Sequence, residues 1–226
     1  MTKKIKIILH IYQYIKFIDF VYLVDICCMH IAYEVFMGSS FSQQSASMRR
    51  AGNRQWGLKP LDLAVLLMLV IIRREPKYTY AALAKLMLLS QFEVHASVQR
   101  LVAARLLVDA GEYFRPVMPA IREYVLYGAA YCYPAIRGEA TIGFATAYGV
   151  PPLSEKVLFS QEMPPVWPHP EGDQRGFALM PLYENLPLAA KAFPPLYELL
   201  ALFDALRMGQ AREREIAIQL LNERLQ

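Results

Sequence analysis

The stretch TYAALAKLMLLSQFEVHASVQRLVAARLL, residues 79–107, decides the fold. It reads as two short helices joined by a tight connection. Thr79 suits an N-cap, and Leu83, Leu86 and Met87 then recur at helical spacing. The second helix begins at a capping box: Ser90 accepts from the Glu93 amide and Glu93 returns a bond to the Ser90 amide. At 100° per residue, Val94, Val98 and Leu101 fall on one stripe with Val102 at its edge. Phe92, Ala96, Gln99 and Ala103 fall opposite, flanked by His95 and Arg100. One stripe is therefore expected in a core and the other outside it.

Upstream, Pro60 opens a run, Leu61 to Ile72, that is apolar nearly all round and ends at Arg73-Arg-Glu-Pro76. Such a helix must be buried, and it is too short to cross a bilayer. Downstream, Leu106-Leu-Val is followed by a turn at Asp109-Ala-Gly111 and a second short strand, Glu112 to Arg115, before Pro116. The order is three helices and then a hairpin.

In that order, Tyr80-Ala-Ala-Leu-Ala, Ser90, Val94, His95, Arg100-Leu101 and Leu106-Leu107 resemble the MarR-like and related bacterial winged helix-turn-helix regulators. The resemblance covers about residues 60–116. It implies that the helix starting at Ser90 enters the major groove, with base contacts from Gln91, His95, Ala96, Gln99 and Arg100. Ser90 at the helix start and Arg115 on the wing complete the implied DNA-contact set. Phe92 has two readings in sequence, contact with thymine methyl groups or a fold back over the preceding helix. Two positions depart from the pattern. Leu88 stands where the inter-helix turn ordinarily has Gly, and a left-handed Leu costs roughly 1 kcal/mol. The wing carries Asp109 and Glu112, which phosphates repel, so only Arg115 is attractive there.

Beyond the hairpin, Pro119 to Tyr133 reads as a helix made aromatic by Tyr124, Tyr127, Tyr131 and Tyr133. Ala135 to Pro170 is rich in Gly and Pro and reads as long irregular structure with short strands. Trp167 and His169 in it are either partner contacts or loop packing. Arg175 to Met180 reads as a strand, Pro194 opens a helix that Gly209 stops, and a further helix runs from Ala211 to Leu225. These last helices suit dimerisation or partner docking. Asp204-Ala-Leu-Arg207 and Ala211-Arg-Glu-Arg214 are also similar to the tails of regulators encoded beside toxin or defence genes.

Composition divides the chain. The net charge is +4 overall, yet residues 48–116 hold eleven Lys/Arg against five Asp/Glu, while residues 117–226 hold nine against twelve. A basic module beside a mildly acidic one suits a local polyanion-binding face, a solvated basic surface being the bland alternative. All 15 prolines and all 15 arginines follow residue 47. The first 47 residues are a separate apolar extension, in which Lys16, Asp19, Asp25 and Glu34 leave no run near the ~20 apolar residues of a spanning helix. Met48 is a candidate true start, and Gly38 to Ser47 a linker if the extension is native.

Three cysteines (Cys27, Cys28, Cys132) and four scattered histidines make neither a disulfide framework nor a metal-ligand spacing, so no metal and a cytoplasmic setting are expected. No phosphate-cradling loop or nucleophile elbow occurs, so no catalytic residue, cofactor or enzymatic role is expected. A pocket gathering Tyr131, Arg137, Glu139 and His169 would reverse that. The sequence thus predicts an α+β, mainly helical chain: an extension at 1–47, a winged helix-turn-helix domain at 48–118, and a dimerisation or partner-binding domain at 119–226. The expected function is a homodimeric, sequence-specific regulator on double-stranded DNA, autoregulatory or antitoxin-like. The alternative is a winged-helix adaptor that docks a toxin or defence protein and does not bind DNA.

Overall fold

A run as apolar as Leu61 to Ile72 must be surrounded on every side, and this requirement organises the chain. In the computed structural model, which describes residues 56–74, 78–111, 114–156 and 163–226, helix α1 spans Pro60–Ile71 and buries every residue from Asp62 to Val70. A 3-10 turn, Ile72–Arg74, ends it. The expectations for residues 1–47, Met48, Glu75-Pro76 and Glu112 lie outside the described residues.

Helices α2 (Tyr80–Met87) and α3 (Gln91–Ala103) follow, then an antiparallel hairpin of β1 (Leu107–Asp109) and β2 (Phe114–Pro116). Each helix starts as its sequence demands. Thr79 Oγ1 accepts from the Ala82 amide at 3.1 Å. Ser90 Oγ accepts from the Glu93 amide at 3.2 Å, while Glu93 Oε2 takes the Ser90 amide at 2.9 Å. The hairpin turn is closed by Asp109 Oδ1, which accepts from the Gly111 amide at 2.8 Å; Gly111 supplies the positive φ of 86°.

The aromatic segment begins as α4 (Met118–Glu123), widens to a π-helical turn at Tyr124–Gly128 and ends as α5 (Ala129–Cys132). Its tyrosines split: Tyr133 is buried and Tyr124 half-buried, whereas Tyr127 and Tyr131 point outward. The Gly/Pro-rich region is more regular than its composition suggests. β3 (Arg137–Ala145) pairs with both β4 (Pro165–Pro168) and β5 (Gln174–Leu179), and β4 also pairs parallel to β5, so the three strands close on themselves. This closure depends on glycine, since a Cβ at Gly143 would fall on the Trp167 carbonyl and one at Gly176 on the Pro164 carbonyl. A 3-10 turn at Ala147–Gly149 and a short helix α6 (Leu153–Lys156) lie between β3 and β4.

Helices α7 (Leu186–Ala192), α8 (Pro194–Met208) and α9 (Ala211–Arg224) complete the chain. Residues 56–226 form a single unit, with α1, α3, α8 and α9 contributing to one hydrophobic core. The expected division after residue 118 falls inside this unit, in the first turn of α4. Among the described residues the architecture is α+β and mostly helical, with two small sheets. No helix among the described residues is long and apolar enough to cross a membrane.

Candidate nucleic-acid interface

The geometry of α3 follows from its two stripes. Val94, Ser97, Val98 and Leu101 are buried against α1 and α2, which turns Phe92, His95 and Ala103 outward, with Ala96 and Gln99 half-buried beside them. Gln91 is exposed in the first turn, and Arg115 is exposed on β2. Of the residues expected to contact DNA, Gln91, His95, Ala96, Gln99 and Arg115 therefore keep some solvent access. Ser90 is exposed, but its hydroxyl is engaged: it donates to Glu93 Oε2 at 2.7 Å while accepting from the Glu93 amide. The Ser90 hydroxyl and then the Ser90 amide, both donating to Glu93 Oε2, hold the Glu93 carboxyl below its ordinary pKa.

Arg100 is the correction. Expected at the edge of the outward face, it is only 9% exposed. Its Nε and Nη2 donate to the two oxygens of fully buried Asp62 in α1, at 2.7 and 2.6 Å. Asp62 also accepts from the Lys59 amide at 2.8 Å, so its carboxylate is well provided with donors. The Asp62 hydrogen bond raises the Arg100 pKa above its usual value, so the guanidinium stays charged and bound. A side chain held in this fork cannot also grip a guanine edge. The pair instead fixes the angle between α1 and α3. Sequence reasoning missed it although a signal was present, because one Asp inside an otherwise apolar helix must find a donor from elsewhere.

The turn between α2 and α3 keeps the left-handed geometry despite lacking glycine. Leu88 has φ 51° and ψ 41°, and its amide reaches the Ala84 and Lys85 carbonyls. The Leu89 amide donates back to Ala84 O at 3.0 Å. The second half of the chain supports this turn: Tyr183 Oη donates to Met87 O at 2.7 Å, and Asn185 Nδ2 reaches Leu88 O at 3.5 Å. Strain at one residue is tolerated where neighbouring bonds over-determine it.

Tyrosines of the α2 start tie the hairpin to the helix pair. Tyr78 Oη donates to Phe114 O at 3.1 Å, and burial pushes that phenol up to about 12. The Tyr80 ring meets His95 edge-on at 5.3 Å and lies 6.1 Å from Phe114. His95 is thus exposed yet oriented.

Elsewhere, Asp204 is buried rather than displayed on a docking helix. It accepts from Thr146 Oγ1 and Trp167 Nε1, both at 2.7 Å, and from Arg207 Nε at 2.8 Å. Trp167 lies in β4 and is fully buried, so it packs within the fold and is not displayed to a partner. The four residues whose gathering would suggest an enzyme are otherwise engaged in part: Arg137 lies over the Phe177 ring at 3.9 Å and His169 stacks on Phe144 at 5.1 Å. None of the four lines the cavity of about 520 Å³ bounded by Pro151, Glu155, Lys191, Tyr197 and Arg224. Among the described residues, no cluster of three or more His, Cys, Asp or Glu is placed to hold a metal ion.

No protein-family model, curated protein or solved structure matches this chain.

Proposed function

We propose that the chain is a sequence-specific regulator that binds double-stranded DNA through the outward stripe of α3. In this reading α2 and α3 are a helix-turn-helix and the β1–β2 hairpin is its wing. The observation that carries it is a capped helix with one face committed to the core and the other open to solvent at Gln91, Phe92 and His95, with Ala96 and Gln99 half-buried beside them. Small Ala96 allows close approach to a groove, and the polar neighbours can donate to base edges. Arg115 supplies a phosphate contact from the wing, while Arg100 acts only by orienting α3. Two copies on an inverted repeat would each present one such helix.

The test is selection of preferred duplexes from a random pool, followed by mobility shifts at several salt concentrations. Salt-sensitive, sequence-preferring binding that Gln99→Ala weakens is the expected result. Absence of any such binding overturns the proposal.

A second reading, a protein adaptor for a toxin or defence protein, draws on one observation. Tyr127 and Tyr131, four residues apart, are 66% and 77% exposed. The discriminating result is a stable protein complex that Tyr131→Ser disrupts, in a chain without nucleic-acid affinity. Helix α1 offers no such surface, because every residue from Asp62 to Val70 is buried.

A further inference from the structure

We infer that Phe92 is a specificity-determining residue that packs on the 5-methyl group of a thymine in the major groove. This deepens the DNA-binding reading above and rests on it.

The fold does not use this side chain. Phe92 is 80% exposed, and it takes no part in the hydrophobic core or the partly buried shell around it. Nor does local helix formation call for it, since an aromatic residue is a poorer helix former than Ala or Glu. Of the two sequence readings of Phe92, folding back over α2 is therefore the one that the geometry excludes. A phenyl ring left in water at this position has a cost in exposed apolar surface and no compensating packing within the chain.

Its position on α3 defines what it can meet. Phe92 lies at the centre of the outward stripe, one turn before Ala96 and two before Gln99, and diametrically away from buried Val94, Val98 and Leu101. The first turn is held by the reciprocal Ser90 and Glu93 bonds, so the direction of the Phe92 side chain is set by the helix rather than by a mobile loop. Its own face otherwise carries small Ala96 and Ala103 and the polar Gln99, with His95 at its edge. One aromatic among small and hydrogen-bonding side chains leaves room for the ring to reach a base edge.

The chemistry of the major groove then selects the contact. Thymine presents the one methyl group on that surface, whereas adenine, guanine and cytosine present donors or acceptors there. A phenyl ring gains from covering the methyl and leaves the polar edges of the other bases without partners. The consequence is a preference for thymine at one position of each half-site.

Deoxyuridine substitution tests this directly, because it removes only the 5-methyl and keeps both pairing and the O4 acceptor. Each thymine of the selected duplex is replaced in turn, and affinity is measured for the full chain and for Phe92→Ala. The expected result is one position per half-site at which the full chain loses about fourfold, the worth of one buried methyl. Phe92→Ala should bind thymine and deoxyuridine there equally, with a melting temperature that is the same or slightly higher, while Gln99→Ala keeps the difference. A full chain that binds its duplex but is indifferent to every deoxyuridine overturns the inference and leaves the DNA-binding reading standing. The same penalty in Phe92→Ala also overturns it. A chain that binds no duplex, with Phe92→Ala instead disrupting a protein complex that also depends on exposed Leu86 and Leu88, overturns both.

Discussion

Replacing Arg100 by Met isolates the energetic role of the α1–α3 ion pair. Methionine keeps much of the length and apolar stem of arginine but removes the guanidinium, leaving Asp62 with the Lys59 amide as its remaining donor in the core. Breaking a buried pair in this way costs about 3–5 kcal/mol, because an uncompensated carboxylate remains. Adding Asp62→Leu removes the stranded charge, and the double variant should recover most of the loss, short of about 1 kcal/mol for the lost bond at the helix start. Urea unfolding followed by circular dichroism measures each corner of the cycle. A cost below about 1 kcal/mol for Arg100→Met, or a double variant no better than the single, refutes the reasoning. So does a fully stable Arg100→Met that has lost only DNA affinity, since that would return Arg100 to the binding face.

Ser90→Ala should destabilise the chain by about 1 kcal/mol, seen in urea unfolding. It should also move the Glu93 carboxyl back up toward its ordinary pKa, visible in an NMR titration; the Ser90–Glu93 contribution is present above the unfolded value near 4.3 and lost as pH falls through the lowered folded one. Leu88→Gly relieves a left-handed residue that is 45% exposed, and is expected to raise stability by up to about 1 kcal/mol, offset in part by the greater freedom of glycine in the unfolded chain. Ser97 Oγ is buried without a hydrogen-bond partner, so Ser97→Ala should be neutral or stabilising by about 1 kcal/mol in the same assay. Trp167→Phe removes a donor to buried Asp204 and leaves a cavity, for an expected loss of about 2–4 kcal/mol; a loss under about 1 kcal/mol would contradict the role assigned to that bond.

What the sequence determined by itself is the set of features whose causes are local. The caps at Thr79 and Ser90, the inward stripe of α3, the buried character of α1 and the stop at Gly209 all follow from neighbouring residues and helical periodicity. The α+β, mostly helical class followed from the same signals. Tertiary structure decided whatever depends on partners far along the chain. Arg100 and Asp62 are 38 residues apart, and whether an arginine at the edge of a helix faces solvent or a buried carboxylate is settled by the helix packed against it. The closure of β3, β4 and β5 was not legible either, because β4 contains two prolines and its pairing depends on glycines in other strands. Phe92 belongs to both accounts. Periodicity put it on the outward stripe, but only the packing of α1 and α2, which takes up the inward stripe and leaves Phe92 uncovered, determined that its ring stays in solvent.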